Sequence, residues 1–321
     1  MGRKTVVWII IAICLVLTGC ILFGGVMAML KWDFSKLSTV KYQEKDYEIR
    51  ESFENISIVA DTARISLAPS QDGKVKVVCY ERENMVHNVT VADGTLAIEL
   101  KDSRKWYEHI GIQFGSPRIT VYLPGKTYGT FSLQSGTGDI TLPADFTFES
   151  ISVAVSTARV NCSATATGEI LIRSSTGSIA AKKLSAAALE LSVSTGRITV
   201  TDVTCAGDIS VHVSTGKADL TNVSCRNLTS TGSTGDLNLT HVLSQGKLSV
   251  SRSTGDVTLD RCDAAQIVVK TDTGDVTGSL LSEKIFFAQT DTGRIDVPKT
   301  ASGGRCEITT DTGNIKITIS K

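Results

Sequence analysis

The chain has 321 residues and no net charge, with 33 basic against 33 acidic side chains, and is 41% hydrophobic and 21% charged. That balance excludes a disordered chain and a basic nucleic-acid-binding surface. Five prolines against 27 glycines, in a chain rich in Ser and Thr, suit an ordered β protein.

The first element is a run of 26 positions, Thr5 to Leu30, without a charged side chain. It is long enough to cross a hydrocarbon core of roughly 30 Å. Arg3 and Lys4 precede it, so residues 1–4 read as a cytoplasmic tail, 5–30 as one transmembrane helix, and everything after Lys31 as extracytoplasmic. Two other readings exist: lipid attachment at Cys20, from Leu17-Thr18-Gly19-Cys20, and a cleaved secretory peptide. The apolar continuation through Ile21, Leu22, Phe23, Val26 and Leu30 favours the uncleaved anchor. Without Arg3 and Lys4 the remainder carries 31 basic against 33 acidic residues, a balance of −2, so charge-driven binding must come from local patches.

Residues 31–46 read as a linker and 47–130 as a β region that caps the repeats to come. Val75 to Tyr80, Thr95 to Leu100 and Arg118 to Leu123 are predicted strands, with a turn at Ala92-Asp93-Gly94-Thr95. Between them, Lys101 to Pro117 departs from the pattern and holds Trp106, Tyr107, His109 and Phe114. An aromatic loop there is either a recognition element or a cover over the end of the core.

From residue 131 to 321 one unit repeats. Ser or Asp, then Thr, then Gly recurs ten times at intervals of 19 or 20 residues, on Thr137, Thr157, Thr176, Thr195, Thr215, Thr234, Thr254, Thr273, Thr292 and Thr312. Gly136 replaces the leading Ser or Asp once, and Ala158 replaces the Gly once. Six and four residues before the Thr stand apolar columns such as Ile209 and Val211; three and five after it stand others such as Ile198 and Val200. These are period-two strands on either side of a glycine corner. A second bend is expected near Ala206-Gly207, Gln245-Gly246 and Gly303-Gly304. The predicted fold is all-β: a β-solenoid of about ten coils, with same-position strands of successive coils paired in parallel, making a rod roughly 50 Å long. The repeated Thr is read as structural, its hydroxyls bonding up the ladder.

Cys162, Cys262 and Cys306 occupy core columns and read as small buried hydrophobes. Cys205 and Cys225 share one repeat position in adjacent coils; a disulfide is open to them, and a stacked pair of thiols is the simpler reading.

The strand Phe53-Glu54-Asn55-Ile56-Ser57-Ile58, the turn Leu67-Ala68-Pro69-Ser70, Val121-Tyr122-Leu123-Pro124 and the Ser-Thr-Gly-Asp-like repeats, behind a short amino-terminal membrane segment, together resemble the LiaG-like putative adhesin family of bacterial envelope proteins. The likeness runs from about Tyr47 to Lys321. It implies a surface-facing β-solenoid, in some members associated with envelope-stress systems, and it supplies no catalytic residues.

His87, His109, His212 and His241 are scattered and form no relay or metal face in the sequence. Two positions after the repeating Thr, Asp236, Asp256 and Asp275 stack; one position before it, Asp272, Asp291 and Asp311 form a second acidic row. Like charges about 4.8 Å apart repel by roughly 0.9 kcal/mol even in water, so a calcium ion between the rows would relieve them; solvated turn carboxylates bonded to backbone amides are the alternative. No other cofactor is implied. The expected function is non-catalytic binding or scaffolding at the cell envelope, with a wall polymer or envelope protein as partner and no nucleic acid. An accessory of an envelope-stress response is the alternative, and a carbohydrate-active enzyme using the acidic face a third.

Overall fold

The computed structural model describes residues 2–33, 42–102 and 116–320. It opens with α1 (Arg3–Met29), of which Thr5–Met29 is apolar and long enough to cross a membrane, about 37 Å at the usual helical rise. Lys31 and Trp32 end it in the left-handed region (φ 56° and 58°), where the Trp32 N–H donates to Met27 O at 2.8 Å.

All other regular structure among the described residues is strand. The amino-terminal region contains β1 (Tyr42–Ile49), β2 (Asn55–Thr62), β3 (Arg64–Pro69), β4 (Val75–Arg82), β5 (Met85–Ala92), β6 (Thr95–Asp102) and β7 (Arg118–Leu123). The repeats follow as β8 (Thr127–Thr137), β9 (Ile140–Leu142), β10 (Thr147–Cys162), β11 (Thr165–Ala166), β12 (Glu169–Ala186), β13 (Ala188–Cys205) and β14 (Asp208–Cys225). The last are β15 (Asn227–Thr234), β16 (Leu237–Thr254), β17 (Val257–Thr273), β18 (Val276–Leu280), β19 (Lys284–Thr292), β20 (Ile295–Asp296), β21 (Gly304–Thr312) and β22 (Ile315–Ile319). Strand β1 begins inside the stretch read as linker.

Successive coils pair in parallel and in register, Thr upon Thr: Thr157 on Thr176, Thr176 on Thr195, Thr195 on Thr215. The period-two columns point inward as expected, and one aliphatic core runs from Phe53 to Ile317. At the Thr-Gly corner nine glycines take φ between +118° (Gly138) and +158° (Gly293). A Cβ on Gly196 would lie 1.7 Å from Gly177 O of the neighbouring coil, so the corner is closed to any side chain in that conformation. Ala158, the exception, is not among the positive-φ residues.

The ladder at this corner is made by the backbone. The Gly235 N–H donates to Thr254 O and the Gly255 N–H to Thr273 O, at 2.8 and 2.9 Å. Among the described residues, no hydroxyl-to-hydroxyl bond joins successive corner threonines, which are exposed. Buried Ser135 and Ser174 instead donate to the carbonyls of Thr137 and Thr176 in their own coils.

Five successive coils have a corner that the glycine pattern hides. Seven residues after the Thr, Lys183, Asp202, Asn222, His241 and Arg261 all sit in the left-handed region, φ 50° to 56°. Inward parity shifts there again, from Val200 to Val203 and from Leu220 to Val223. With the bend near Ala206-Gly207 this makes three sides per coil. Side chains at the hidden corner point to solvent, so residue types of very different size are accepted.

Chain order and stacking order differ at both ends. The coil β2–β3 lies between β6–β7 and β8–β9, with Ile56 beside both Leu96 and Phe131. The last coil in sequence, β21–β22, lies between β17–β18 and β19–β20, with Thr312 beside both Thr273 and Thr292. Strict stacking in chain order is therefore wrong for the first and last coils. Antiparallel β4 and β5 cover β7 and β6, and β1 pairs with β4, which closes the amino-terminal end.

Candidate functional site

The acidic corner is the site most visible in the sequence. Asp236 Oδ1 accepts the Asp256 N–H at 3.2 Å, Asp256 Oδ1 the Asp275 N–H at 2.9 Å, and Asp275 Oδ1 the Asn314 N–H at 2.7 Å. Each carboxylate thus caps the next coil, and these charge-assisted bonds offset the repulsion along the row. The coil exchange sets where the row ends: Asn314, not Arg294, follows Asp275, and the Arg294 N–H then donates to Asn314 Oδ1. In the second row the exchange puts Asp311 between Asp272 and Asp291, and all three are exposed. Two basic members of the first column are paired, with Arg197 Nη1 at 2.9 Å and Lys217 Nζ at 3.8 Å from the Asp219 carboxylate.

Trp106, Tyr107, His109 and Phe114 lie outside the described residues. Where that segment rejoins the fold, Ser116 and Pro117 border an open cleft of about 480 Å3 with Asp61, Arg64, Arg82 and Asp139. Beside it the cap carries a stack that the sequence did not reveal. Tyr42 and Tyr80 lie parallel with centroids 5.1 Å apart, the Arg82 guanidinium sits 5.8 Å above the Tyr42 ring, and that of Arg118 lies 4.9 Å from the Tyr80 ring. Strand pairing of Tyr42 with Arg82 and Tyr80 with Arg118 creates it, and no spacing along the chain signals it.

A second groove, about 670 Å3, follows the third corner past Cys205, Cys225, Ser244, Asp263 and Lys284. Both cysteines are unbridged thiols. Burial pushes the Cys225 thiol up to about 11 and raises that of Cys205, so neither is a ready nucleophile. Buried Lys284 is held by Asp263 Oδ1 and Ser282 Oγ, both at 2.6 Å.

Arg252 is another feature missed in the sequence. It sits on an inward column, 2% exposed, with Nη2 donating to Ser230 Oγ at 2.9 Å and Nε without a partner among the described residues. Burial lowers its pKa. The signal was a pair of exceptions, Ser230 in an otherwise apolar column and Gly232 as the smallest member of its own: a Cβ on Gly232 would lie 1.7 Å from Arg252 Nη1.

Two of the histidines, His212 and His241, stand apart from these features. His212 is exposed and bonds Thr231 Oγ1 and Ser214 Oγ, at 2.8 and 3.0 Å, with no carboxylate in reach among the described residues. His241 stands at the hidden corner.

Comparison with solved structures gives low-identity likenesses. A "putative adhesin" from Bacteroides fragilis is 16% identical over 88% of this chain and 99% of its own, with a TM-score of 0.40. A second from Parabacteroides distasonis is 13% identical over 85% and 98%, with a TM-score of 0.46. A "putative lipid binding protein" from the same species is 16% identical over 86% and 97%, with a TM-score of 0.47. At such values those names stay with those proteins. A search of curated proteins finds no match. The family comparison is decisive, because one model matches residues 53–318, from the first inward aromatic of the cap to the last coil: the chain belongs to the Toastrack DUF4097 family.

Proposed function

We propose that the protein is a single-pass membrane protein whose solenoid stands outside the cytoplasmic membrane and binds or scaffolds a cell-envelope component without catalysis. The observation that carries this reading is the join of an exposed apolar helix to a rod filled by its own aliphatic side chains, whose grooves are open. A rod of this kind offers long, repetitive faces to a repetitive partner such as a wall polymer. The cleft at Ser116 and Pro117, next to the aromatic segment, is the recognition end in this reading, and the carboxylates of Asp236, Asp256, Asp272, Asp275, Asp291 and Asp311 are the face on which calcium would act.

The test is binding of the segment 31–321 to purified wall polymers, with and without calcium, alongside Trp106→Ala. Saturable binding weakened about tenfold or more by Trp106→Ala is expected. Turnover of a wall glycan that Asp256→Asn abolishes would overturn the non-catalytic reading. Equal binding and melting with and without calcium would remove the ion from the proposal.

A further inference from the structure

Strands β4 and β5 form a tight hairpin that holds its first pair, Arg82 with Met85, and then splits. Strand β4 continues along β7 and β1, while β5 turns onto β6, so the hairpin straddles two sides of the coil. Cys79 and Glu81, two apart on β4, share the face that looks into this fork. His87 enters from β5. All three are buried, and one ligand atom from each, thiol, carboxylate and imidazole, lies within 4.8 Å of the others.

Their hydrogen bonding is incomplete. Glu81 Oε2 accepts from the His87 N–H at 2.6 Å and lies 2.9 Å from His87 Nδ1, whereas Glu81 Oε1 and His87 Nε2 have no hydrogen-bond partner among the described residues. Buried polar atoms are nearly always satisfied, so two orphans in one cluster point to a missing member. Lys45 Nζ stands 3.5 Å from Oε1, but its side chain is 38% exposed and free to swing into solvent. His87 also borders a small void with Asp61, Thr62 and Met85.

We propose that Cys79, Glu81 and His87 form a zinc site in the cap. Zinc accepts sulfur, nitrogen and carboxylate oxygen together, whereas calcium and magnesium take oxygen shells. Bonds of about 2.0–2.3 Å in a tetrahedral shell give ligand separations of roughly 3.2–3.8 Å, so separations of up to 4.8 Å would close by at most about 1 Å and the 2.9 Å Glu81–His87 contact would open slightly. Three protein ligands leave a fourth position for water. On binding, the Cys79 S–H bond gives its proton to solvent as the Zn–S bond forms, while Glu81 binds ionised and His87 through a neutral nitrogen. Because the thiol gives up its proton on binding, zinc affinity rises with pH. The ion would pin β4 to β5 where their own pairing stops.

The test uses the full chain in detergent, stripped with a chelator and titrated with Co2+. One equivalent is expected, with thiolate-to-cobalt charge-transfer absorption that one equivalent of Zn2+ removes. Cys79→Ser should abolish the absorption and weaken zinc by more than about 100-fold; Cys205→Ser should change neither. Sub-stoichiometric binding, or zinc affinity unchanged in Cys79→Ser, overturns the site and leaves a buried His–Glu pair. Should the variant fail to fold, X-ray absorption on zinc-loaded wild type decides: one sulfur at about 2.3 Å supports the assignment, and a shell without sulfur refutes it.

Discussion

Gly216 shows what a corner residue does in this rod. Its φ is +135°, and a Cβ there would lie 1.8 Å from Gly196 O, backbone that cannot step aside. Gly216→Ala should therefore cost about 3 kcal/mol or more in chemical denaturation, from strain and clash together. Gly125→Ala, with ordinary φ and nothing within 4 Å of the new carbon, should stay within about 0.5 kcal/mol. The buried thiols give a second residue-scale expectation. Cys79, Cys162 and Cys306 are pushed by burial from 9.0 to about 12, and Cys225 and Cys262 to about 11. A folded pKa above the unfolded one means stability is intact below pH 9 and is lost as pH rises toward the folded values, because the unfolded chain releases these protons first. Melting temperature should fall steeply above pH 9. Cys162→Ala should flatten that slope by up to about 1.4 kcal/mol per pH unit.

Among the elements, the two exchanged coils are the feature that chain order could not reveal. Each sequence-terminal coil is hydrogen-bonded on both sides, and the coil left at the end is tethered by chain at both of its own ends. Fraying from a free terminus is thereby suppressed. Phe287 and Ile295, on the outermost β19 and β20, are exposed, and Phe286 is only partly buried although its column is fully buried elsewhere. Truncation after Thr300 removes β21 and β22, the strand partners of β19 and β20. Amides of Phe286 to Thr292 should then lose hydrogen-exchange protection. In a stack that followed chain order they would keep β17 as partner and stay protected.

For the whole molecule, the aliphatic core contains no residue of α1. Removing residues 1–41 should leave the strand signal in circular dichroism and shift the melting temperature by less than about 2 °C, since helix and rod do not share a core. A larger loss would mean that the helix supports the rod. Nearest-neighbour stacking also explains how ten imperfect repeats tolerate Ala158 or Arg252: each exception is absorbed by the coils next to it, as Gly232 makes room for Arg252.

The 19 or 20 residue interval, the inward columns and the glycine corner were legible because each coil repeats the same local chemistry, so a column read down the sequence is also a column in space. The hidden corner was not, since its left-handed residues point to solvent and share no side-chain type. The two Asp rows could be read, but not that amides of adjoining coils occupy one oxygen of each carboxylate in the first row, nor that Asp311 interrupts the second. The Tyr42–Tyr80 stack and the Cys79–Glu81–His87 cluster arise from strand pairings between segments without a common repeat, and register across such pairs is decided by packing. Local periodicity determined that this chain is a solenoid with an apolar leader. Only the tertiary structure decided which coils are neighbours at its ends and which polar groups meet in its cap, because antiparallel pairing and coil exchange bring together residues that no period relates.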